Sequence, residues 1–277
     1  MEYIKLNNGN KMPTLGFGTF LMTGQECEDS VLKALQLGYR LIDTAEAYGN
    51  EEQVGAGIQM SGIDRKELFI VTKVNFKSYA NTRETVFNSL KKLNTDYLDL
   101  VLLHWPFGNY YKAWQELEQL YKENKIRAIG VSNFDSDRLI DLIHFNEVVP
   151  AINQIETNLF CQRRKEHEWL EKYHVQHMAY APLGQGKKYE MFSNLKITEL
   201  AKKYQKSPAQ IMLRFLTQQE IIAIPKSNNE NRMKENIEIF DFMFSDEELE
   251  VLKKLDTNKP MIGTAESPEL VEKAMKW

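Results

Sequence analysis

The chain has 277 residues, of which 43% are hydrophobic and 27% are charged, and its formal net charge is −4. The length is close to the roughly 250 residues of a single barrel of alternating strands and helices, and it allows a sizeable core. Because positive charges are scattered among negative ones, neither nucleic acid nor an anionic membrane is expected as the main partner.

Short apolar runs predict eight buried strands, because runs of four or five apolar residues are typical of strands covered on both faces. In chain order the predicted strands are about 15–18, 40–43, 69–73, 99–104, 128–132, 151–154, 178–181 and 221–225. Helical patterns lie between them, including 26–37, 82–93, 112–123, 136–145 and 164–173. This alternation predicts a parallel α/β sheet, and eight strands favour closure into a (β/α)8 TIM barrel.

Local signals refine this fold. The segments Ser207–Gln210, Ser245–Glu248 and Asn81–Glu84 have the spacing of capping boxes at helix starts. Ahead of the first barrel strand, Asn8 and Gly9 between extended residues predict a β-hairpin, which would cover the barrel bottom. No linker or low-complexity stretch divides the chain, so residues 1–277 are predicted to form one domain.

Cysteine usage and hydropathy indicate the compartment. The two cysteines, Cys27 and Cys161, form no motif, which excludes a disulfide scaffold and favours a reducing compartment. No apolar stretch reaches the ~18 residues of a membrane span, and the segment Met1–Lys5 lacks the features of a signal peptide. We therefore expect a cytoplasmic protein, and a monomer, since no extended apolar seam is evident.

Four residues at the ends of neighbouring strands suggest chemistry. Asp43, Lys73 and His104 end the second, third and fourth predicted strands, and Tyr48 lies in the loop after the second. The carboxyl ends of barrel strands carry the active site, so these side chains are expected to converge. An ammonium group should lower the pKa of a nearby phenol, a carboxylate should keep that ammonium charged, and a histidine can orient a carbonyl. Each residue alone is more often a rim ion pair, but together they favour general-acid catalysis at a carbonyl oxygen.

The common nucleotide and metal motifs are missing. Gly16 and Gly18 are followed by Leu21 where a dinucleotide fingerprint needs glycine, and no phosphate-loop motif occurs. A nicotinamide cofactor would therefore bind without a Rossmann fold. His174 and His177 form the closest histidine pair, on what the pattern predicts to be a solvated helix end, and no metal site is expected.

Seven stretches in chain order resemble the aldo-keto reductases. They are Gly16–Thr19, Asp43–Glu51, Leu103–Pro106, Gly130–Phe134, Asn153–Glu156, Tyr180–Gly184 and Ile224–Ser227. The resemblance implies a TIM barrel and NADPH-dependent reduction of aldehydes and ketones. It matches Tyr48 to the proton donor, Lys73 and Asp43 to the residues that tune it, and His104 to the residue that orients the substrate.

The same resemblance implies a set of cofactor-binding positions. Ser132, Asn133 and Gln154 match the residues that hold the carboxamide, and Tyr180 matches the one that stacks on the nicotinamide ring. Leu183 and Gln185 fall in the loop over the pyrophosphate, Lys226, Ser227 and Arg232 match the 2′-phosphate contacts, and Glu235 and Asn236 match the adenine contacts. The further cofactor-binding positions are Gly18, Thr19, Asp43, Pro182 and Pro225. Arg232 is predicted to open a helix whose N-terminal amides attract an anion, which agrees with a phosphate. The alternative is that this segment is only a solvated helix face.

The substrate pocket is expected to be aromatic. With Tyr48 and His104, the candidate wall residues are Phe20, Phe76, Trp105 and Tyr110, any of which could instead pack against loops. Apolar walls with few polar anchors suit small carbonyl substrates and discriminate weakly among them.

Three differences from the common family pattern indicate which branch of the family the chain resembles. Many members have an aromatic residue two positions after Lys73, whereas here Asn75 occupies that position and Phe76 follows. The loop after His104 is short, and the C-terminal flap is expected to be reduced. These features resemble the small microbial branch, which includes diketogluconate, glyoxal and methylglyoxal reductases and prostaglandin F synthase-like enzymes.

Two other functions stay open. The first is a cofactor-sensing regulatory subunit with little turnover, since ion-channel β subunits resemble the same family. The second is a barrel isomerase or aldolase that uses Lys73 as a Schiff-base amine. Asp43 argues against the second, because a neighbouring carboxylate keeps a lysine protonated.

Overall fold

The computed structural model describes residues 1–185, 188–262, 265 and 267–276. These residues form a two-stranded antiparallel hairpin and an eight-stranded parallel sheet. The hairpin strands are β1 (Tyr3–Lys5) and β2 (Lys11–Pro13). The barrel strands are β3 (Phe17–Gly18), β4 (Leu41–Asp43), β5 (Phe69–Val74), β6 (Leu100–Leu103), β7 (Ile129–Ser132), β8 (Ile152–Glu156), β9 (Gln176–Tyr180) and β10 (Ile222–Ala223).

The sheet closes on itself. Each barrel strand pairs in parallel with the next along the chain. At the seam, the Gly16 N–H donates to the Ala223 carbonyl at 2.9 Å, and the Gly18 N–H donates to the Pro225 carbonyl at 3.1 Å. The predicted TIM barrel is confirmed.

Helices surround the barrel. They are α1 (Gly24–Gln36), α2 (Glu51–Ser61), α3 (Thr82–Lys92), α4 (Tyr110–Lys122), α5 (Ser136–His144), α6 (Arg164–Lys172), α7 (Lys188–Phe192), α8 (Leu195–Tyr204), α9 (Pro208–Thr217), α10 (Glu230–Ile237), α11 (Asp246–Lys253) and α12 (Pro268–Ala274). The five helices predicted from periodicity all form, with ends shifted by at most two residues. Among the described residues, every helix is too short or too polar to span a lipid bilayer.

The capping predictions are confirmed at two of three helices. Ser207 and Ser245 each form a complete capping box, at the starts of α9 and α11. The predicted box at Asn81 is wrong, because the Asn81 side chain makes no capping hydrogen bond. The 3-10 segment Phe76–Asn81 instead leads directly into α3.

The hairpin covers the barrel bottom, as predicted. The Asn8 and Asn10 side chains both donate to the Arg127 carbonyl, which lies just before β7, at 3.0 and 2.8 Å. From the hairpin, Leu6 and Met12 join the apolar layer inside the barrel. At this end the barrel interior is therefore a packed apolar core.

Gly130 provides a test of this interior packing. A Cβ atom at this position would lie 2.6 Å from the Ile152 carbonyl oxygen and 2.8 Å from Leu102 Cδ2. We expect Gly130→Ala to destabilise the protein by about 3 kcal/mol, as over-packing a core does. The control is Gly62→Ala, where φ is +67° and no neighbouring atom lies within 4 Å, so only backbone strain of about 1 kcal/mol is expected. Equal losses in urea unfolding would contradict the packing argument.

Candidate active site

Strand alternation brings the predicted residues to the open rim. Side chains two residues apart on a strand point to the same face. Five rim residues each follow, by two positions, an apolar residue of the inner layer, namely Leu41, Val71, Leu102, Ile152 or Met178. These five are Asp43, Lys73, His104, Gln154 and Tyr180. They come from five strands or strand ends and share one mouth of the barrel.

A buried ion pair lies at the centre of this rim. Lys73 Nζ donates to Asp43 Oδ1 at 2.6 Å and to the Thr44 carbonyl at 2.8 Å. The side chains of Lys73 and Asp43 are 0% and 2% exposed. The other Asp43 oxygen accepts from Gln154 Nε2 at 2.8 Å. Burial lowers the pKa of Lys73, while its bonded partner Asp43 acts in the opposite direction.

Tyr48 lies over this ion pair. It ends the 3-10 turn Glu46–Tyr48 that follows β4. Lys73 Nζ is 5.1 Å from the centre of the Tyr48 ring. The His104 ring centre is 5.9 Å from that of Tyr48, and the Phe20 ring centre is 5.0 Å from it. The structure thus brings together all four residues of the predicted catalytic set.

The electrostatics of Tyr48 correct one prediction. The Lys73 ammonium was expected to lower the pKa of this phenol. Instead, burial raises the pKa of Tyr48 well above its ordinary value, and the nearby negative charge of Asp43 adds to this rise. A phenol in this environment holds its proton at neutral pH, which suits an acid.

His104 is neutral at physiological pH. Burial, and next the positive charge of Lys73, lower the pKa of His104 to about 3. Its carbonyl accepts from Asn133 Nδ2 at 3.0 Å, which links the end of β6 to the end of β7. A neutral imidazole can orient a carbonyl by a hydrogen bond but cannot act as a cationic acid.

The residues predicted to hold the nicotinamide form one connected chain of hydrogen bonds. Ser132 Oγ donates to the Gln154 carbonyl at 2.9 Å, and Asn133 Nδ2 donates to Ser132 Oγ at 3.1 Å. The Tyr180 hydroxyl donates to Asn133 Oδ1 at 2.7 Å. Amide and aromatic groups thus lie side by side, across the rim from Tyr48.

The positions predicted for the phosphate and adenine lie around β10 and α10. Lys226 and Arg232 are exposed, whereas Ser227 and Asn236 are buried. Helix α10 begins at Glu230, so Arg232 lies in its first turn, and the Arg232 N–H donates to the side chain of the capping residue Asn229 at 3.1 Å. The Glu235 carboxylate accepts from the Ser207 hydroxyl.

The remaining predicted cofactor positions connect these two groups. The Thr19 hydroxyl donates to the Asp43 carbonyl at 3.0 Å, so it lies at the rim beside the ion pair, and Gly18 and Pro225 meet at the seam. In the loop after β9, Pro182 is buried, Leu183 is half-buried and Gln185 is exposed.

The predicted wall residues divide into two sets. Phe20 packs on Tyr48, and the Trp105 ring is stacked with that of His104 at 6.4 Å. Phe76 packs edge-on against Phe107 at 5.4 Å. Tyr110 instead opens α4 and is buried against Phe134 and Tyr111 at 5.3 and 4.8 Å, so its role as a wall residue stays a prediction.

Sequence reasoning missed three features of this region. Phe107, stacked on Trp105 at 5.3 Å, belongs to the loop after His104 and could have been included with its neighbours. Glu156 also follows strand alternation, two residues beyond Gln154. The Thr44 carbonyl, which accepts from Lys73, is a backbone group that no residue pattern reveals.

One histidine prediction is wrong. His177 lies buried on β9 rather than on a solvated helix end, and it contacts Thr157 Oγ1 at 2.8 Å and His167 at 3.1 Å. Burial lowers the pKa of His177 well below its ordinary value. Within the described part of the chain, no cluster of three or more metal-binding side chains occurs.

The site at the open rim of this barrel resembles that of an enzyme, because a buried lysine–aspartate pair lies beneath a tyrosine. Comparison with known proteins defines the class. The aldo/keto reductase family model matches residues 14–257. Methylglyoxal reductase DkgA of Escherichia coli (strain K12) is 42% identical over 259 residues, which cover 92% of this chain and 94% of that protein. The chain belongs to the aldo/keto reductase family.

Solved structures agree with this assignment. An aldo-keto reductase from a Medee basin deep-sea metagenome library superimposes with a TM-score of 0.94 at 38% identity, covering 95% of this chain and 98% of that one. A Bombyx mori aldo-keto reductase solved in complex with NADP has a TM-score of 0.87 at 33% identity, covering 94% of each chain.

The environment of His104 can be tested by titration. Its pKa of about 3 lies below the ordinary 6.5, so the folded protein binds fewer protons than the unfolded chain between these values. Stability should therefore fall as the pH drops from about 6.5 toward 3. We expect the His104 imidazole NMR signals, assigned by their loss in His104→Gln, to stay those of a neutral ring down to about pH 4. The substitution should also lessen the acid-induced loss of stability.

Buried His177 contributes in the same direction, so part of the acid sensitivity should persist in His104→Gln. A His104 signal that titrates near pH 6.5 would contradict the assigned environment.

Proposed function

We propose that this protein reduces aldehydes and ketones to alcohols with NADPH, using Tyr48 as the general acid. The observation that carries the proposal is the stacking of a protonated phenol over a buried lysine–aspartate pair, beside a neutral histidine. A carbonyl oxygen next to Tyr48 and His104 would meet one acidic O–H and one orienting imidazole. Membership of the aldo/keto reductase family supports this chemistry.

The chemistry of the predicted cofactor residues fits NADPH. Asn133 and Gln154 provide side-chain amides for a carboxamide, and Tyr180 provides an aromatic face for a planar ring. At the other end, exposed Lys226 and Arg232 are two cationic side chains next to a helix N-terminus. Such a set favours a phosphate group over a ribose hydroxyl. The NADP complex of the Bombyx mori relative supports the same cofactor.

Each of the four catalytic residues has its own role in the proposed reaction. When bound, NADPH supplies the hydride that reduces the carbonyl carbon. The Tyr48 hydroxyl gives its proton to the carbonyl oxygen, so that the product leaves as a neutral alcohol. Lys73, held by Asp43, places a positive charge beneath the phenol, where it stabilises the negative charge that remains on the Tyr48 oxygen. His104, being neutral, orients the carbonyl by a hydrogen bond.

The substrate class follows from the pocket wall. Phe20, Phe76, Trp105 and Phe107 provide aromatic surface beside the two polar groups of Tyr48 and His104. Such a wall suits small aldehydes and ketones, and the relative named methylglyoxal reductase supports small dicarbonyl compounds among them.

Both cysteines are buried free thiols, which supports a reducing, cytoplasmic setting, and we propose a monomer.

Replacing Tyr48 tests whether its hydroxyl is the general acid. Tyr48→Phe removes one hydroxyl and should lower kcat for methylglyoxal by about 10²–10⁴-fold, the usual contribution of a general acid. NADPH affinity should change less than about twofold, since the ring is retained. The measurement is loss of NADPH absorbance together with a fluorescence titration of the cofactor.

Tyr204→Phe is the matched control, because the Tyr204 hydroxyl lies on the outer helix α8, within hydrogen-bond distance of the Glu248 carboxylate at 2.6 Å and the Met243 carbonyl at 3.0 Å. Wild-type turnover that survives in Tyr48→Phe would refute the proposed acid. Tight NADPH binding by the wild type without turnover of any carbonyl would favour the cofactor-sensing subunit. Borohydride trapping of a carbonyl on Lys73 would favour Schiff-base chemistry.

Replacing Arg232 tests the phosphate site. Arg232→Ala should weaken NADPH binding by about tenfold or more, the value of one charge-assisted phosphate contact, while NADH binding changes little. Lys234→Ala, an exposed cation two residues further along α10, is the control and should affect neither cofactor. Equal losses of NADPH and NADH affinity in Arg232→Ala would show that the phosphate lies elsewhere.

A further inference from the structure

The buried carboxylate of Glu156 binds the backbone of a segment close to α12. Glu156 is the last residue of β8 and is 3% exposed. One of its oxygens accepts from the Met261 N–H and the other from the Ile262 N–H, both at 2.8 Å. Two consecutive backbone amides, more than 100 residues away in sequence, are thus bound at the barrel rim.

This contact differs from the other attachments of the segment. Thr257 donates its N–H and its hydroxyl to the Phe160 carbonyl at 2.8 and 2.7 Å, and both of these bonds are between neutral groups. Hydrogen bonds to an ionised carboxylate are about twice as strong as neutral ones, and burial keeps water from competing. Between Ile262 and α12, Ala265 packs against the same aromatic residues as the helix, Trp105 and Phe107.

The final helix closes against the aromatic wall. On α12, Leu270 and Ala274 are buried against Trp105 and Phe107. Trp105 in turn is stacked with His104, so the helix supports the side of the pocket where the carbonyl would lie. The six residue steps from Ile262 to Pro268 span at most about 20 Å, so the position of Ile262 limits where α12 can lie.

We propose that Glu156 is a positioning residue for the carbonyl pocket: by binding the Met261 and Ile262 amides it holds α12 against Trp105 and Phe107, and so sets the affinity for the carbonyl substrate. This inference depends on the proposed reductase activity for its kinetic readout. Glu156 acts through α12 and takes no part in proton or hydride transfer.

Glu156→Gln provides the direct test. The amide NH2 group cannot accept from an N–H, so one of the two bonds is lost. KM for 4-nitrobenzaldehyde should rise about tenfold, as expected for one charged hydrogen bond, with kcat within about threefold of wild type. NADPH affinity should stay within about twofold, because Tyr180, the cofactor position paired with Glu156 in the sheet, keeps its hydrogen bond to Asn133.

The chain offers a matched control. Glu118 on α4 is likewise a buried carboxylate, 4% exposed, that accepts from two consecutive backbone amides, those of Glu147 and Val148, at 2.9 and 2.8 Å. A single oxygen of Glu118 accepts from both amides, so Glu118→Gln can keep both bonds but removes the negative charge that strengthens them. It should lower the thermal midpoint without changing KM. If KM is as high in Glu118→Gln as in Glu156→Gln, general loss of stability explains both and the proposal is wrong.

A second variant loosens α12 without touching Glu156. Leu270→Ala should raise KM by a similar factor, and the double variant Glu156→Gln/Leu270→Ala should be less than additive, because both changes release the same segment. Full additivity of the two effects on KM would overturn the proposal.

Hydrogen exchange supplies a readout that does not need turnover. Amides of residues 267–276 should exchange faster in Glu156→Gln than in wild type and unchanged in Glu118→Gln. If the wild type reduces no carbonyl, the reductase proposal fails while exchange still tests the positioning role. Unchanged exchange in Glu156→Gln would refute that role whatever the enzyme does.

Discussion

The buried pair of Lys73 and Asp43 is the constraint on which the rest of the site depends. Removing two charges from water is costly, and a buried pair persists only where further hydrogen bonds satisfy the remaining donors and acceptors. Here the Thr44 carbonyl and the Gln154 amide meet that need. Lys73 and Asp43 lie on neighbouring strands, but Gln154 lies on β8, so the complete set of bonds forms only when β8 faces β4 across the barrel. The folded core and the proposed chemistry therefore require the same contacts.

Much of this arrangement could be predicted from residue order alone. Buried strands have a period of two, so each polar residue placed two positions after an inner apolar residue must point into the same mouth. Asp43, Lys73 and His104 also stand at the carboxyl ends of three predicted strands, and these ends share one rim of a parallel barrel. The hairpin at Asn8 and the capping box at Ser207 were likewise predictable, because each depends on a few adjacent residues.

Other features required the three-dimensional structure. The direction of the Tyr48 pKa depends on how completely neighbouring loops exclude water, which no local pattern reports. Helix α2 was not predicted because Gly55 and Gly57 lower helix propensity, yet a Cβ at Gly57 would lie 2.9 Å from Val31, so glycine permits close packing on α1. His177 was misplaced because four residues cannot distinguish a helix end from the start of a strand.

The segment that begins at Asn75 connects the aromatic wall of the pocket to the turn that carries Tyr48, the proposed general acid. Glu46, which begins the 3-10 turn that Tyr48 ends, accepts from the Asn75 N–H at 2.8 Å and from the Ser78 hydroxyl at 2.6 Å. These bonds hold the start of the next 3-10 segment, in which Phe76 packs against Phe107. Phe76 thus supplies an aromatic ring directly after Asn75, and the carboxylate that holds its segment belongs to the same short turn as the proposed proton donor. The turn Glu46–Tyr48 therefore carries the phenol and also holds the segment of Phe76. A substitution that breaks the bonds of Glu46 to Asn75 and Ser78 should shift Phe76 relative to the Tyr48 hydroxyl.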